Sequence, residues 1–337
     1  MLEPTTDPTA LFRVRDGIYA ADLLVAAVGW LDLFTWLSDR PADLETICDG
    51  LHLAARPADV MLTLFNAQGL VTNEGGVFSL TDLAREHLVT GSPWDLGPYF
   101  ASLRERPMCR DLRRVLETGE PAGWGSREDE DAWAEAMARE DFARSFTAAM
   151  DSRGAYLAAA VARKLDCPSG ARLLDVAGGS GVYACAVVDE RDDVEAAVLE
   201  RPPVDRAARA AIEQRGMADR VAVIAGDMFQ GLPSGYDVHL YSHVLHDWEV
   251  PAIETLLANS FAVLPPGGRI VIHDAHLDAG KTGPLPVAEY SVLLMASTEG
   301  KCYSVDEMAA LLAAAGFTGV RHGPTAAYRS LVVADRP

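Results

Sequence analysis

The C-terminal half of the chain alternates short apolar runs with segments of helical periodicity. The first run contains Leu173, Leu174 and Val176, and a helical pattern follows it from Val182 to Val188. Apolar runs of this length are typical of strands buried on both faces, as in a parallel sheet between helices. The other runs occur at residues 196–200, 220–225, 238–241, 269–272 and 328–333. The pattern predicts an α/β fold with a doubly wound sheet.

Residues 10–100 have a different pattern, in which helices predominate. A nearly continuous apolar helix is predicted from Tyr19 to Leu37, and we expect a partner subunit to cover it, because a helix that is apolar on most of its circumference must be covered on most sides. Two short helices, at 43–50 and 56–67, precede two β-type runs joined by Asn73-Glu74-Gly75-Gly76, a hairpin signal. This order outlines a winged helix.

We divide the chain into three consecutive parts. Residues 1–104 form the winged-helix-like part, residues 105–160 a helical bridge and residues 161–337 the α/β domain. Within the bridge, the charged stretch 127–131 is predicted to be a solvated loop or helix start without a function of its own.

A glycine-rich turn follows the first strand of the α/β domain. Asp175 lies near the carboxyl end of that strand, and Gly178, Gly179 and Gly181 come next. Ligand crevices of open α/β sheets lie at the carboxyl ends of the strands, and glycine lets a ligand approach the backbone. The order differs from the Gly-x-Gly-x-x-Gly of dinucleotide sites. An acid ahead of the glycines disfavours a phosphate and can hold an ammonium group through water, so the turn suits an amino-acid ligand.

Two further acids end the next two strands. Glu200 ends the second strand, where an acid can bind both hydroxyls of a ribose. Asp227 follows Gly226 at the end of the third strand and can accept a hydrogen bond from an exocyclic amine, while Met228 or Phe229 can pack on an adenine face. An amine, a diol and an adenine are all present in S-adenosylmethionine. We therefore predict this compound as the cofactor.

The composition and charge argue against nucleic-acid binding, a disulfide framework and a membrane span. The formal charge is −20, with 49 acidic against 29 basic residues, and such a field repels nucleic acid. The five cysteines are scattered, which indicates reduced thiols rather than a disulfide framework. The chain shows neither an export leader nor the roughly 18 consecutive apolar residues of a membrane span. We expect a cytoplasmic enzyme that binds neither nucleic acid nor a membrane.

A resemblance to a known family rests on the glycine turn, its acids and two later motifs. These motifs are Val244–Trp248 (Val-Leu-His-Asp-Trp) and Leu264–Ile272. Over nearly its whole length the chain resembles class I S-adenosylmethionine-dependent small-molecule methyltransferases of the plant caffeic acid O-methyltransferase and bacterial natural-product type. The resemblance implies a Rossmann-like catalytic domain, a winged-helix-like dimerisation domain, a homodimer, and methyl transfer to a small aromatic acceptor of secondary metabolism.

The resemblance also implies how the proton is removed. His246 matches the general base of the family, and an imidazole with a pKa near 6.5 is suited to accept a phenol's proton at neutral pH. The family orients this base with two acids. The first falls at Asp274, in place of the usual glutamate, and the second falls at Cys302, where plant enzymes have glutamate. With one acid missing, C-methylation of an enol, phenol ring or indole carbon and N-methylation stay open beside the favoured O-methylation.

Further site residues follow from the same resemblance. Phe142, Phe146 and Met150 recur at i, i+4 and i+8, which fits either core packing or a wall of the acceptor pocket, because a thioether adapts to ring edges. The remaining cofactor-binding candidates are Arg153, Arg201 and Ser242. The remaining acceptor-binding candidates are His243, Asp247, Met295 and Tyr19, the last of which also fits a dimer core.

Two alternatives concern the kind of site. Histidines and acids crowd together at His243, His246, Asp247, His273, Asp274 and His276, and two histidines with one carboxylate can supply the donors of a non-haem iron or zinc site. We expect no metal, because a loop spacing of three should keep the histidines apart, and the neighbours His273 and Asp274 should point to opposite faces of their strand. The second alternative is a cofactor-binding protein that no longer methylates and steers a hydroxylation, decarboxylation or pericyclic step.

Overall fold

The computed structural model describes residues 4–122 and 137–337, so the charged stretch 127–131 lies outside the described residues. Contacts divide the chain into two compact units. The helical unit comprises Ala10–Glu128 and Leu277–Ser304. The sheet unit comprises Met1–Thr9, Asp129–His276 and Val305–Pro337. No helix in the described ranges is both long and apolar enough to cross a membrane.

The elements are numbered in chain order. The first part of the chain contains α1 (Thr9–Asp16), α2 (Ala20–Gly29), α3 (Leu33–Ser38), β1 (Ala42–Asp43), α4 (Leu44–Leu51), α5 (Ala55–Ala67), β2 (Val71–Glu74), β3 (Val77–Leu80), α6 (Asp82–His87), α7 (Gly97–Ala101) and α8 (Pro107–Thr118). The rest contains α9 (Glu140–Lys164), β4 (Arg172–Val176), α10 (Val182–Glu190), β5 (Glu195–Glu200), α11 (Val204–Gln214), β6 (Val221–Ala225), β7 (Val238–Ser242), α12 (Val250–Val263), β8 (Arg269–Asp274), α13 (Leu285–Ser297), α14 (Val305–Ala314), β9 (Thr318–Pro324) and β10 (Ser330–Asp335).

The winged-helix prediction is confirmed in the helical unit. Helices α4 and α5 are followed by the hairpin β2–β3, which joins β1 in a small sheet of order β1-β3-β2. Asp43 caps α4 by accepting a hydrogen bond from the Thr46 amide at 2.8 Å. Gly75 and Gly76 make the hairpin turn with φ of +62° and +89°, a left-handed conformation that glycine adopts without strain.

The predicted continuous helix from Tyr19 to Leu37 is wrong. Helix α2 ends at Gly29, and α3 begins only after Asp32, whose φ of +49° is left-handed and interrupts the helical path. Leu23 and Ala27 of α2 are fully buried within the chain, where α7, α8 and α13 pack on this helix. Much of α2 is therefore covered by its own chain, and coverage of the rest by a partner subunit stays a prediction.

Residues 277–304 belong to the helical unit, although the sequence-based division placed them with the α/β domain. Helix α13 packs on α5, α2 and α8. The guanidinium of Arg56 donates to the carbonyl oxygens of Gly119 at 2.6 Å and Gly300 at 2.8 Å. Asp59 also pairs with Lys281 at 2.9 Å and Lys301 at 2.5 Å. These contacts join residues far apart in sequence, which periodicity does not reveal.

The sheet unit contains a doubly wound sheet, as predicted. Its seven strands have the order β6-β5-β4-β7-β8-β10-β9, and β10 alone runs in the direction opposite to the other six. Strand β10 starts at Ser330, later than predicted, because the left-handed backbone at Ala327 and Tyr328 still belongs to the preceding turn. The strand order reverses between β4 and β7, which places the ligand crevice of such a sheet at the carboxyl end of β4.

Candidate cofactor and catalytic site

The glycine loop after β4 lies directly on a buried carboxylate. Gly179 and Gly181 have φ of +59° and +74°, which other residues rarely adopt. A Cβ at Gly178 would lie 2.5 Å from Cγ of Asp175, so a side chain at this position would displace the loop or the carboxylate. The sequence explains this arrangement, since only glycine allows the backbone to come so close.

Asp175 is fully buried beneath this loop. Its Oδ2 accepts a hydrogen bond of 3.3 Å from the Ala184 amide in the first turn of α10. Its Oδ1 has no hydrogen-bond partner among the described residues. Burial, with a smaller contribution from the charge of Glu200, raises the pKa of Asp175 to about 7.

Glu200, at the end of β5, contacts the same loop. Its carboxylate accepts hydrogen bonds from the amides of Gly179 at 2.8 Å and Arg201 at 3.0 Å. Burial raises the pKa of Glu200 to about 7. Its backbone carbonyl accepts from the Gly226 amide at 2.9 Å, which brings the end of β6 alongside. The ends of β4, β5 and β6 therefore meet, as the sequence predicted.

An aromatic wall stands at the end of β6. Asp227 caps a 3₁₀ turn, Met228–Gln230, by accepting from the Phe229 amide at 3.0 Å, and its Oδ2 lies 3.9 Å from Nε of Arg201. The ring of Phe229 meets Trp248 edge to face, with centroids 4.8 Å apart. Sequence reasoning gave Trp248 no binding role, although its place in the Val244–Trp248 motif was the available signal.

A second cluster surrounds the carboxylate of Asp274 at the end of β8. Nδ1 of His246 lies 2.5 Å from Oδ1 of Asp274, and Nδ1 of His243 lies 3.5 Å from the same oxygen. An ionised carboxylate only accepts hydrogen bonds, so Nδ1 of His246 donates and Nε2 keeps its lone pair in the neutral ring. This Nε2 lies 3.5 Å from Asp247, whose side chain is 39% exposed. The predicted base and orienting acid are brought together.

The electrostatics of the cluster favour a base that is poised to take a proton. Burial lowers the pKa of His246, but the charges of Asp274 and Asp247 outweigh it and leave that pKa raised. Burial would raise the pKa of Asp274, but the adjacent His246 holds it well below its ordinary value. Burial and the charge of Arg153 hold the pKa of His243 well below its ordinary value. Asp274 is therefore ionised and His243 neutral.

The cluster is also the group of described residues best arranged to hold a metal ion. Donor atoms of His243, His246 and Asp274 all lie within 4.8 Å of one another. The expectation that a spacing of three keeps the histidines apart was wrong, because the left-handed backbone at His243 (φ +58°), followed by the 3₁₀ turn Leu245–Asp247, brings both rings to the same carboxylate. Oδ1 of Asp274 is already bonded to His246 and to the Ala275 amide, which competes with a metal. That no metal binds remains a prediction.

Other predicted residues have varied surroundings. The hydroxyl of Ser242 shares a hydrogen bond of 2.8 Å with Nδ1 of His273, and the ring of Tyr183 lies 5.4 Å from the His273 ring. Sequence reasoning missed Tyr183, which the first turn of α10 brings beside the histidines. On α9, Phe142 and Phe146 stack with centroids 6.4 Å apart.

The remaining predictions concern both units. Met150, half-buried on α9, belongs to the sheet unit. Tyr19 precedes α2, Met295 is fully buried on α13, and the amide of the buried Cys302 donates to Ser291 Oγ at 3.1 Å, all within the helical unit. The acceptor-binding roles of Met150, Tyr19 and Met295 stay predictions.

The residues at the strand ends fit S-adenosylmethionine. The unpartnered Oδ1 of Asp175 suits the donor of a bound amine or a bridging water, and the side-chain-free glycine loop leaves room for a ligand against the backbone. Glu200 and Asp227 offer acceptors for a diol and an exocyclic amine. This strand order with this loop and these acids defines a class I S-adenosylmethionine-dependent methyltransferase.

Comparisons with known proteins place the chain within this class. Residues 116–318 match the O-methyltransferase domain family, and the chain belongs to that family. One relative, the 3-hydroxy-5-methyl-1-naphthoate 3-O-methyltransferase of Streptomyces sahachiroi, is 29% identical over 93% of this chain and 90% of its own length.

Solved structures agree with this assignment. The O-methyltransferase family 2 protein of Planctomyces limnophilus DSM 3776, solved in complex with apigenin, is 35% identical, with a TM-score of 0.91 over 100% of this chain and 98% of that one. PigF, solved with SAH, is 27% identical, with a TM-score of 0.62 over 99% of this chain and 100% of that one. The prediction of an S-adenosylmethionine-dependent methyltransferase is confirmed.

Proposed function

We propose that the enzyme methylates a hydroxyl group on a flat aromatic natural product, with His246 as general base and Asp274 as the residue that positions it. The observation that carries this proposal is the buried hydrogen bond of 2.5 Å between His246 Nδ1 and Asp274 Oδ1. It fixes the tautomer in which Nε2 accepts a proton, and a third group that orients the base is the usual arrangement for activating a weak nucleophile. The naphthoate-methylating relative and the apigenin-bound neighbour support a flat acceptor.

The residues divide the work between binding and proton transfer. When bound, S-adenosylmethionine supplies the activated methyl group. The polar groups of the cofactor are bound by Asp175, Glu200 and Asp227. The surface beneath it is formed by Gly178, Gly179, Gly181 and Gly226. Further contacts come from Met228, Phe229, Arg153, Arg201 and Ser242. His246 Nε2 takes the proton of the acceptor hydroxyl, and Asp274 stabilises the resulting imidazolium, whose raised pKa reflects this charge. Orientation of the acceptor in line with the methyl donor supplies several kcal/mol of the rate enhancement.

The acceptor is proposed to lie against α9. The stacked rings of Phe142 and Phe146, together with the thioether of Met150, form an apolar stripe that suits a flat ring. His243 and Asp247 flank the base and offer hydrogen bonds to a second polar group on the acceptor. Tyr19 and Met295 are the remaining proposed acceptor-binding residues.

A second copy of the chain is the proposed partner of the helical unit. Leu11, Val14 and Ile18 are 73%, 76% and 60% exposed, and their spacing of three and four residues places them in one stripe along and just beyond α1. Contiguous exposed apolar side chains of this kind mark interaction surfaces.

The proposed compartment of the enzyme is a reducing one such as the cytoplasm, which the five unbridged cysteines support.

The test is methyl transfer from methyl-labelled S-adenosylmethionine to a panel of hydroxylated naphthoates, flavones and quinones, followed by mass spectrometry and by NMR location of the label. Label on oxygen supports the proposal. Label on a ring carbon or on nitrogen contradicts O-methylation and supports the C- or N-methylating alternative. Absence of transfer to every acceptor, with SAH bound tightly in calorimetry, favours the non-methylating alternative. His246→Asn is the matched control, since it removes the base while keeping a side chain that can hydrogen-bond to Asp274.

A further inference from the structure

We propose that Asp151 is a positioning residue that fixes the glycine loop through Ser180 and so couples cofactor binding to α9. The inference rests on the proposed binding of the cofactor at this loop and of the acceptor against α9. Asp151 itself is not expected to touch either molecule.

Asp151 joins three separate elements through one oxygen atom. Its Oδ1 accepts a hydrogen bond from the hydroxyl of Ser180 in the glycine loop and one of 2.5 Å from Nη2 of Arg215, which directly follows α11. Arg215 is held in turn by the Ala211 carbonyl, to which its Nη1 donates at 3.2 Å. A hydrogen bond to a charged acceptor is stronger than one to a neutral acceptor.

The glycine loop depends on anchors from outside its own backbone. Three of the four residues 178–181 are glycines, which constrain the backbone least. One anchor is Glu200, which accepts from the Gly179 amide at 2.8 Å. The other is Asp151, which accepts a hydrogen bond from Ser180, the single residue of this run with a side chain, and Ser180 is only 4% exposed. Loss of the second anchor frees the half of the loop that leads into α10.

The same residue connects the loop to the helix that carries the acceptor stripe. Asp151 directly follows Met150 on α9. One turn later, Gly154 lies so close to α10 that a Cβ there would be 2.4 Å from Val182 Cγ1, which fixes how α9 sits on α10. A groove of about 660 Å³, lined by residues of both α9 and α11, lies beside Asp151 and Arg215. Asp151 therefore provides a direct polar connection between the loop and α9, beside the close packing of Gly154 on α10.

The experiment compares Ser180→Ala and Asp151→Asn with the wild type in calorimetry of SAH binding and in hydrogen exchange with and without SAH. Ser152→Ala and Asp141→Asn, exposed positions on the same helix, are the matched controls. In the wild type and the controls, SAH is expected to slow exchange in both the loop and α9. In the two variants, SAH binding is expected to weaken about tenfold, as for a lost hydrogen bond to a charged group, and the response of α9 to SAH to disappear.

Three results would overturn the inference: unchanged SAH affinity in both variants, an α9 response that persists in them, or a lowered melting temperature as their sole defect. Asp151→Asn keeps the shape of the side chain and serves if Ser180→Ala does not fold. Failure of the wild type to bind SAH would instead count against the proposed function. The two failures are therefore distinguishable.

Discussion

Burial of the Asp175 carboxylate lowers the free energy of unfolding by an amount that depends on pH, and the variant Asp175→Asn measures that amount. The pKa of about 7, against 3.8 for an ordinary aspartate, means that the ionised carboxylate disfavours the folded state by about 4 kcal/mol above pH 7. The unfolded chain loses this proton near pH 4 and the folded protein near pH 7, so the cost grows across that window. Asparagine keeps the shape and still accepts from the Ala184 amide, but its buried amide costs about 1–3 kcal/mol. A net gain of about 1–3 kcal/mol at pH 8 is therefore expected.

Urea unfolding of the ligand-free protein at several pH values between 5 and 8 provides the measurement. Buried histidines such as His239 and His276, with pKa lowered to about 4, add stability as pH rises, so the wild-type curve alone is ambiguous. The difference between variant and wild type isolates Asp175, and Asp219→Asn, at an exposed position, controls for a general charge effect. A difference that stays constant from pH 5 to pH 8 would refute the reasoning.

The site, the interface and the loop give further predictions. His246→Asn is expected to lower kcat by about 10²–10⁴ in product chromatography, with SAH affinity nearly unchanged; a variant that loses SAH binding instead would contradict its role as a base. Asp274→Asn removes the charge that raises the pKa of His246, so the limb of the pH–rate profile that reports His246 should move to lower pH, and an unmoved limb would exclude the coupling. Combining Leu11→Asp with Val14→Asp should convert a dimer to a folded monomer in light scattering, and a persistent dimer would locate the interface elsewhere. Gly181→Ala, at φ +74° and with its Cβ 2.9 Å from Ile212, should lose about 2 kcal/mol more stability than Gly170→Ala, where φ is +71° in open space; equal losses would show that the contact is readily relieved.

The sequence predicts those features that depend on local pattern. Apolar runs locate the strands because parallel strands are buried on both faces, and the acids Asp175, Glu200 and Asp227 follow once the strand ends are known. The convergence of His243 and His246 could not be predicted, because it depends on a 3₁₀ turn and on the left-handed φ of +58° at His243. Tertiary contacts determine the break after Gly29 and the grouping of residues 277–304, so these features could not be predicted from periodicity either.

The acid-lined crevice has a consequence for turnover. A sulfonium carries a positive charge that the spent thioether lacks, so carboxylates at the proposed cofactor site would attract the fresh donor more strongly than the used one. Because Asp175 and Glu200 both have pKa values of about 7, this preference strengthens as they lose their protons. We therefore expect the demethylated product to be exchanged for a new donor more readily in mildly alkaline solution than in acid.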